Sequence, residues 1–289
     1  MPLETLERPT LRRDRRKRAL RKVPAYLFVV AGALVMIVPF LAAFSSSLKS
    51  YEQYIQVPPV WIPDPAHWEN YLEVWQRAPF NLYLMNSVIV AVASVAGCLL
   101  TSSMVGHALA RMVLPWRNVL LTTAVGTMML PTVISIVPSF ILFKSFGWLD
   151  TLLPLIVPYW LATPFGIFLM RQAFLAIPKD FEEAATLDGA NPWQVFWRVH
   201  LPLVKPSLAT LGVFTFMATW GAILEPTIYL VSPENYTLPI GVQSLQGQFA
   251  GDEQLVTAAA LMSLVPILIV FLLAQRYFVQ GAANAGIKG

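Results

Sequence analysis

The sequence has few charged residues and almost no cysteine. Only 12% of its 289 residues are Asp, Glu, Lys or Arg, whereas 56% are hydrophobic. A water-soluble domain carries about 25% charged residues, so this deficit indicates that much of the folded surface contacts something other than water. The single cysteine, Cys98, lies within an apolar run. One cysteine excludes a disulfide framework and a cysteine-based metal site, and it favours a packing role for Cys98.

The sequence also lacks the short motifs of nucleotide-binding and hydrolytic enzymes. It contains no G-x-x-x-x-G-K-[ST] loop, no H-E-x-x-H pair, no nucleophile elbow and no G-x-G-x-x-G turn. Its three histidines, His67, His107 and His200, are far apart in the chain, which does not favour a metal site. An intramembrane enzyme would need convergent acid, base or metal-binding groups. We therefore expect that the chain is not an enzyme.

Six uncharged, apolar runs are each long enough to cross a bilayer as a helix. They cover residues 23–48, 78–110, 118–143, 151–170, 206–224 and 255–275. A membrane helix needs about 20 apolar residues, and these runs do not alternate as barrel strands do. Since helices satisfy their own backbone hydrogen bonds in lipid, the sequence predicts an all-α membrane protein with six transmembrane helices. The first run is too long for a cleaved signal peptide.

Basic residues are concentrated on one side of the predicted spans. Nine of the 20 Lys and Arg residues lie within residues 8–22, directly before the first apolar run. Such a tail is expected to bind anionic lipid head groups and not nucleic acid, because no aromatic residues or folded module accompany it. Six alternating spans place 17 Lys and Arg residues inside and three outside. This asymmetry predicts that both termini are cytoplasmic.

The predicted organisation therefore has three parts. A basic cytoplasmic tail covers residues 1–22, a six-span domain covers residues 23–279, and a cytoplasmic tail covers residues 280–289. Within the membrane domain, the cytoplasmic loop 178–206 is the longest polar segment.

Local signals in this loop predict two short amphipathic helices. Asp180 is placed to cap the first, with Glu183 at capping-box spacing. Gly189 can adopt the left-handed conformation that ends it. Asn191, followed by proline, is placed to cap the second helix, which we expect to stop at the Leu-Pro pair 201–202. By itself this pattern leaves two interpretations open, a loop lying along the membrane and a surface on which another protein docks.

Residues 183–202 read EAATLDGANPWQVFWRVHLP. The spacing of Glu-Ala-Ala, Gly189 and Leu-Pro, with Val199 where isoleucine is usual, resembles the EAA loop of the permease subunits of bacterial ABC importers. That resemblance implies that the first helix sits in a groove of a separate ATPase and couples its motion to the membrane. The coupling residues it implies are Glu182, Glu183, Ala184, Ala185, Asp188 and Gly189.

The same resemblance implies the partners and the location of the chain. A permease of this kind lies in the bacterial inner membrane, pairs with a second, homologous permease subunit and contacts a dimer of ATP-hydrolysing subunits. An extracytoplasmic binding protein delivers the solute. No cofactor is then expected in this chain, because ATP and Mg²⁺ would be bound by the partner ATPase.

Further segments resemble the carbohydrate permeases of the maltose type. These are Asn86-Ser87, the segment 138–147, the TLPIG sequence at 237–241 and the terminal Gly-Ile-Lys-Gly. The resemblance implies a sugar or sugar derivative as cargo, and entry of residues 285–289 into the ATPase dimer. It also implies that the last outer loop contacts the binding protein. The candidate contact residues are Asn235, Tyr236, Gln243 and Gln246.

Two residues are candidates for the solute pathway. Glu225 is the one acid near membrane depth, at the outer end of the fifth run, and intramembrane charges are often functional. Trp220 offers an aromatic face for a sugar ring, although Gly221-Ala222 departs from the family pattern at this point. Two alternatives remain open: a gradient-driven secondary transporter, and an ABC permease for a solute other than a sugar.

Overall fold

A computed structural model describes the backbone of residues 10–249 and 251–286, and the side chains of residues 24–249 and 251–275. In chain order, the first helices are α1 (Thr10–Ser47), α2 (Tyr51–Ile55), α3 (Glu69–Arg77), α4 (Phe80–Arg111), α5 (Arg117–Thr127), α6 (Thr132–Ser145) and α7 (Leu153–Ile156). The remaining helices are α8 (Pro164–Leu175), α9 (Asp180–Leu187), α10 (Pro192–Gln194), α11 (Leu201–Leu203), α12 (Lys205–Trp220), α13 (Leu224–Tyr229), α14 (Leu238–Gln248) and α15 (Glu253–Gly286).

Three short helical turns complete the description. A 3₁₀ turn at Val157–Leu161 follows α7, a π-helical turn at Val195–His200 joins α10 to α11, and a second 3₁₀ turn at Pro233–Asn235 precedes α14. No strand occurs in the described parts of the chain. The predicted all-α class is confirmed for those residues.

Four stretches are long and apolar enough to cross a membrane as they stand. They are Pro24–Ser47, Phe80–Arg111, Leu153–Leu175 and Glu253–Gln275. Two further candidates are bent helix pairs: α5 with α6, at 100°, and Pro192–Leu203 with α12, at 76°. The structure therefore has four candidate spans, or up to six if each bent pair is one span.

Three of the predicted spans are not the continuous helices that the apolar runs indicated. The run 151–170 is divided at Ala162, between the 3₁₀ turn and α8. The run 118–143 breaks after Thr127, and the chain turns before α6 begins behind Pro131. Pro131 has no N–H with which to continue the backbone hydrogen bonds of α5. The helix is therefore interrupted although the apolar run is not. The run 206–224 ends as a helix at Trp220, and α13 begins separately at Leu224.

Helix α4 is the central helix of the described structure. Its side chains contribute to all three clusters of buried hydrophobic residues. Small residues recur on its buried face, which lets its neighbours approach closely. At Gly106, an added Cβ would lie 2.8 Å from the Cβ of Met170, and at Gly97 it would overlap the indole of Trp160. Helix α4 thus holds both α8 and the 3₁₀ turn against it.

Candidate functional site

The glycine turn of the predicted cytoplasmic loop has the expected geometry. Gly189 has φ +84°, in the left-handed region. Its N–H donates to the carbonyl of Thr186 (3.0 Å), and the N–H of Ala190 donates to the carbonyl of Ala185 (2.9 Å). These bonds satisfy carbonyls that the end of α9 would otherwise leave unpaired. The prediction that Gly189 ends the first helix in a left-handed conformation is confirmed.

The start of the second helix is also as predicted, and the start of the first is not. The side chain of Asn191 accepts a bond from the Gln194 N–H (2.8 Å), and the Gln194 side chain accepts one from the Asn191 N–H (2.9 Å). In contrast, Asp180 is the first helical residue of α9 and does not cap it. The cap position is Lys179, whose backbone is already helical, whereas a capping side chain needs an extended backbone.

The second helix ends one residue after the Leu-Pro pair. Leu201 donates to the carbonyl of Phe196, five residues back, and Val204 still donates to that of His200 (3.2 Å). Helical structure therefore passes Pro202 and ends at Leu203, where the chain bends by 76° into α12. The predicted stop is confirmed to within one residue, because the wide π turn and the Val204 bond carry the helix only to Leu203 before the bend.

The predicted coupling residues lie together on and just after α9. Glu183, Ala184, Asp188 and Gly189 are exposed, while Glu182 and Ala185 are half-buried. Two large apolar side chains accompany the exposed acids, Phe181 at 48% and Leu187 at 89% exposure. This short helix therefore presents a mixed apolar and acidic surface away from the rest of the structure.

Asp150 holds in place the loop after α13, which lies on the predicted outer side. Its carboxylate accepts bonds from the Ser232 hydroxyl, the Ser232 N–H (2.8 Å) and the Val231 N–H (2.9 Å). Its own carbonyl accepts a bond from the Asn235 side chain (2.6 Å). The bonds from Ser232 and Val231 hold the pKa of the Asp150 carboxyl well below its usual range. We call Asp150 and its bonding partners the outer clasp.

A second set of bonds joins the start of α4 to the same loop. The Asn86 side chain donates to the carbonyls of Glu234 (2.9 Å) and Tyr236 (3.0 Å). The Ser87 hydroxyl accepts a bond from the N–H of Leu238 (2.7 Å). The two segments that resembled maltose-type permeases, Asn-Ser and TLPIG, thus contact each other. The side chains of the Asn-Ser pair bond to the backbone of the loop that contains TLPIG.

The outer candidate residues fall into two groups. Asn235 and Tyr236 are half-buried and make internal bonds, Asn235 to Asp150 and the Tyr236 hydroxyl to the carbonyl of Val231 (3.2 Å). Gln243 and Gln246 are exposed on α14. Only the two glutamines therefore offer side chains that are free of described internal hydrogen bonds.

A cavity of about 800 Å³ lies where three helical interruptions meet. It is lined at the α5–α6 bend by Thr127 and Thr132, at the α7–α8 break by Thr163, and at the α12–α13 break by Glu225. Non-helical backbone at membrane depth is tolerated where it is buried or borders a water-filled cavity. Glu225 is the only charged side chain among the described lining residues. The other polar groups are Ser, Thr and Tyr hydroxyls.

A match to a protein family shows to which class of protein the chain belongs. Residues 99–283 match the family described as "binding-protein-dependent transport system inner membrane component". The chain belongs to this family. It is the permease of an importer that depends on a binding protein, and it is not an enzyme.

Curated relatives cover nearly the whole permease. It is 31% identical over 271 residues to the sulfoquinovosyl glycerol transport system permease protein SmoH of Agrobacterium fabrum, which covers 93% of this chain and 94% of that protein. It is 32% identical over 268 residues to the sn-glycerol-3-phosphate transport system permease protein UgpE of Yersinia enterocolitica, covering 90% and 95%.

A solved structure has the same fold. A chain of a bacterial ABC transporter involved in the import of the acidic polysaccharide alginate superposes with a TM-score of 0.78 at 26% identity. The match covers 96% of the permease and all of that chain. The helical interruptions described above therefore occur within an architecture that is already known for ABC importers.

Trp220 does not line the cavity, although it was a pathway candidate. Its side chain is 2% exposed, its indole N–H donates to the carbonyl of Ser263 (3.1 Å), and its ring stacks on Phe216. This geometry assigns Trp220 to packing between α12 and α15 and does not support the pathway prediction. In the described part of the permease, no group of three or more His, Cys, Asp and Glu side chains is arranged to hold a metal ion.

Sequence reasoning missed the residues that hold the outer loop. Asp150 lies in a short connection and matches no motif, and its partner Ser232 is 82 residues away. An aspartate after an apolar segment is a weak signal by itself. The C-terminal residues 285–289, which the resemblance assigned to the ATPase dimer, extend beyond the described side chains.

Proposed function

We propose that the permease forms one half of the membrane pathway of an ABC importer for a sugar or sugar derivative. Each bent helix pair then counts as one span, which gives six, and the distribution of Lys and Arg supports cytoplasmic termini. The second half is a homologous permease subunit. A dimer of ATP-hydrolysing subunits binds ATP and Mg²⁺, and an extracytoplasmic binding protein delivers the solute.

The observation that carries the coupling role is the exposed surface of α9. It combines the EAA sequence with exposed Phe181 and Leu187 and with the carboxylates of Glu183 and Asp188. An unpartnered apolar side chain beside acids on a polar loop favours contact with a protein surface that has an apolar groove and basic residues. Ala184 and Ala185 allow close approach, and the Gly189 turn fixes the angle to the second helix.

Transport by this assembly requires no chemistry on the solute. Closure of the ATPase dimer displaces α9, and the helices change between two packed states that open the pathway to one side at a time. The family, which moves solutes from a binding protein, supports this interpretation. On the outer side, exposed Gln243 and Gln246 contact the binding protein, and Asn235 and Tyr236 shape the loop beside them.

The cavity supports a polyhydroxylated cargo. Its hydroxyls, including those of Ser135, Ser139 and Thr219, can donate to and accept from sugar hydroxyls, and Glu225 can accept from them. The relatives are described as transporting sulfoquinovosyl glycerol and sn-glycerol-3-phosphate, and the structural neighbour imports a polysaccharide. Both lines favour a sugar or sugar derivative over an amino acid or a metal ion.

Site-specific photocrosslinking tests the coupling role. A photoreactive residue replaces Leu187 in the full complex in native membranes, and a matched control carries it at Val231, which is 72% exposed on the predicted outer side. We expect the ATPase to be crosslinked from position 187 and not from 231. If no ATPase is captured at 187, or if solute uptake persists in cells without any ATPase, the chain is not driven as proposed.

A further inference from the structure

Four polar side chains meet where α9 contacts the cytoplasmic end of α4. His107 and Arg111 belong to α4, Glu182 to α9, and His200 to the π turn. The His107 Nε2 and His200 Nδ1 atoms lie 2.9 Å apart. Glu182 Oε2 lies 3.8 Å from Arg111 Nη1 and 3.9 Å from His200 Nε2. We call these four residues the α4–α9 link.

Arg111 is fixed by the end of a neighbouring helix. Its Nη2 donates to the carbonyls of Phe174 (2.6 Å) and Ile177, at the C-terminal end of α8. A cation is favoured there because the last carbonyls of a helix carry partial negative charge. In the opposite direction, Arg171 of α8 donates to the carbonyl of Leu109 on α4 (3.4 Å). The guanidinium thus cannot follow Glu182 when α9 moves.

The bonds to Glu182 are incomplete in this structure. Both distances exceed hydrogen-bond length, and Arg111 Nε and His200 Nε2 are buried without a partner in the described structure. His200 is fully buried. A buried polar group without a partner is costly, so a closer approach of the Glu182 carboxylate would be favourable for both groups.

The chemistry of the groups fixes which bonds an approach of Glu182 completes. A carboxylate only accepts, so His200 must present Nε2–H to it. His200 Nδ1 is then an acceptor, and the bond to His107 must be donated by His107 Nε2–H. An approach of Glu182 thereby selects one tautomer of each histidine ring. The positions of the ring protons therefore indicate whether α9 has approached α4.

We propose that Glu182 is a positioning residue that ties the motion of α9 to α4. An approach of about 1 Å brings its carboxylate to hydrogen-bond distance of Arg111 and His200 and completes the link. The inference rests on the proposed coupling role of α9, and it assigns a different contact to each face of that helix. Exposed Glu183 and Asp188 face outward to the ATPase, and half-buried Glu182 faces inward to the central helix.

The small number of histidines makes the link observable. The permease has three, of which His67 lies in the predicted outer region and serves as an internal reference. The ¹⁵N-histidine-labelled chain, with a histidine-free affinity tag, is assembled with unlabelled partners in lipid nanodiscs. Solid-state NMR then compares the nucleotide-free complex with the complex trapped by ATP and vanadate. Loss of one signal in His200→Gln assigns the ring.

We expect the His200 Nε2 signal to shift on trapping in the wild type and to stay fixed in Glu182→Ala. Asp180→Ala is the matched control, because it removes an exposed acid from the same helix outside the link. It should shift as the wild type does. A merely structural role for Glu182 would leave the His200 signal independent of nucleotide.

The outcomes separate the two proposals. If the ATPase copurifies and hydrolyses ATP but the wild-type His200 signal does not move, or if it moves equally in Glu182→Ala, the α4–α9 link is not part of coupling and the proposed function stands. If no ATPase copurifies with the wild-type chain, both proposals fail.

Discussion

At the scale of single residues, two left-handed backbone positions have different physical origins. Gly189 adopts φ +84° because it has no Cβ, and an added Cβ would meet nothing within 4 Å. Asp150 adopts φ +58° although it has a side chain. It is held there by the bonds of the outer clasp, and Asp and Asn tolerate this region better than most residues. The left-handed conformation of Gly189 therefore depends on the conformational freedom of glycine, and that of Asp150 depends on its hydrogen-bond partners.

Replacing Gly189 tests whether its backbone conformation matters. Because the surroundings are open, the cost of a larger residue is conformational, on the order of 1–2 kcal/mol in the left-handed region. Gly189→Val should lower the ratio of ordered to disordered turn roughly 5–30-fold, seen as a reduced yield of the ATPase crosslink at position 187. Gly189→Asn, which tolerates this conformation, should remain close to the wild type. Equal yields for valine and asparagine would contradict this account.

The outer clasp predicts a pH-dependent contribution to stability. The folded-state pKa of Asp150 lies below its ordinary value, so the carboxylate stabilises the fold above about pH 4 and loses that contribution as the pH falls through the folded pKa. Asp150→Asn should lower the thermal midpoint at pH 7, by the equivalent of roughly 1 kcal/mol. The difference from the wild type should shrink below about pH 4.

The control for this titration is Asp64→Asn, at an exposed aspartate in the outer segment. It should change the thermal midpoint little at either pH. A difference between wild type and Asp150→Asn that stays constant from pH 7 to pH 3 would show that the charge of the carboxylate is not what holds the loop.

At the scale of elements, α14 makes a close contact with α4 at a glycine, in addition to the bond from Leu238 to Ser87. Its buried face includes Leu238, Gly241 and Leu245, and its exposed face carries the two glutamines of the proposed binding-protein contact. A Cβ at Gly241 would overlap the ring of Tyr83, which is itself 1% exposed. The register of α14 against α4 thus depends on the absence of a side chain at one position.

Two glycine substitutions on α14 separate this packing role from helix propensity. Gly241→Ala should displace α14 and destabilise the protein by about 1–3 kcal/mol, because a buried, fully packed ring must move. Gly247→Ala, where an added Cβ meets nothing, should be neutral or stabilising by up to about 1 kcal/mol. Thermal unfolding of both variants checks this. A Gly241→Ala protein as stable as Gly247→Ala would show that Tyr83 yields easily.

At the scale of the whole molecule, three of the helical interruptions occur at one place. The α5–α6 bend, the α7–α8 break and the α12–α13 break all contribute to the lining of one cavity. Continuous helices would leave no exposed backbone and no such space. The interruptions therefore belong together, and their common location supports a pathway through this region.

Impermeant thiol labelling tests the orientation of the permease. Cys98 is buried and is the only cysteine, so Cys98→Ala provides a background without reactive thiols. Single cysteines at Val113 and at Val231, which are both highly exposed, should report opposite sides. Intact spheroplasts should label position 231 at least tenfold more than 113, and lysis should make them equal. Preferential labelling at 113 would reverse the predicted topology.

The sequence by itself determined the class of the protein and the local geometry of the loop that contains α9. Apolar runs, the positions of basic residues, and the signals at Gly189 and Asn191 act over one helix or one turn, so they can be interpreted without the fold. Only the tertiary structure decided where the spans break and which distant residues meet. Asn86 bonds to a loop 148 residues away, and Glu182 lies beside Arg111, because the packing of α4 brings them together. Hydropathy is nearly uniform along these spans and contains no information about such contacts.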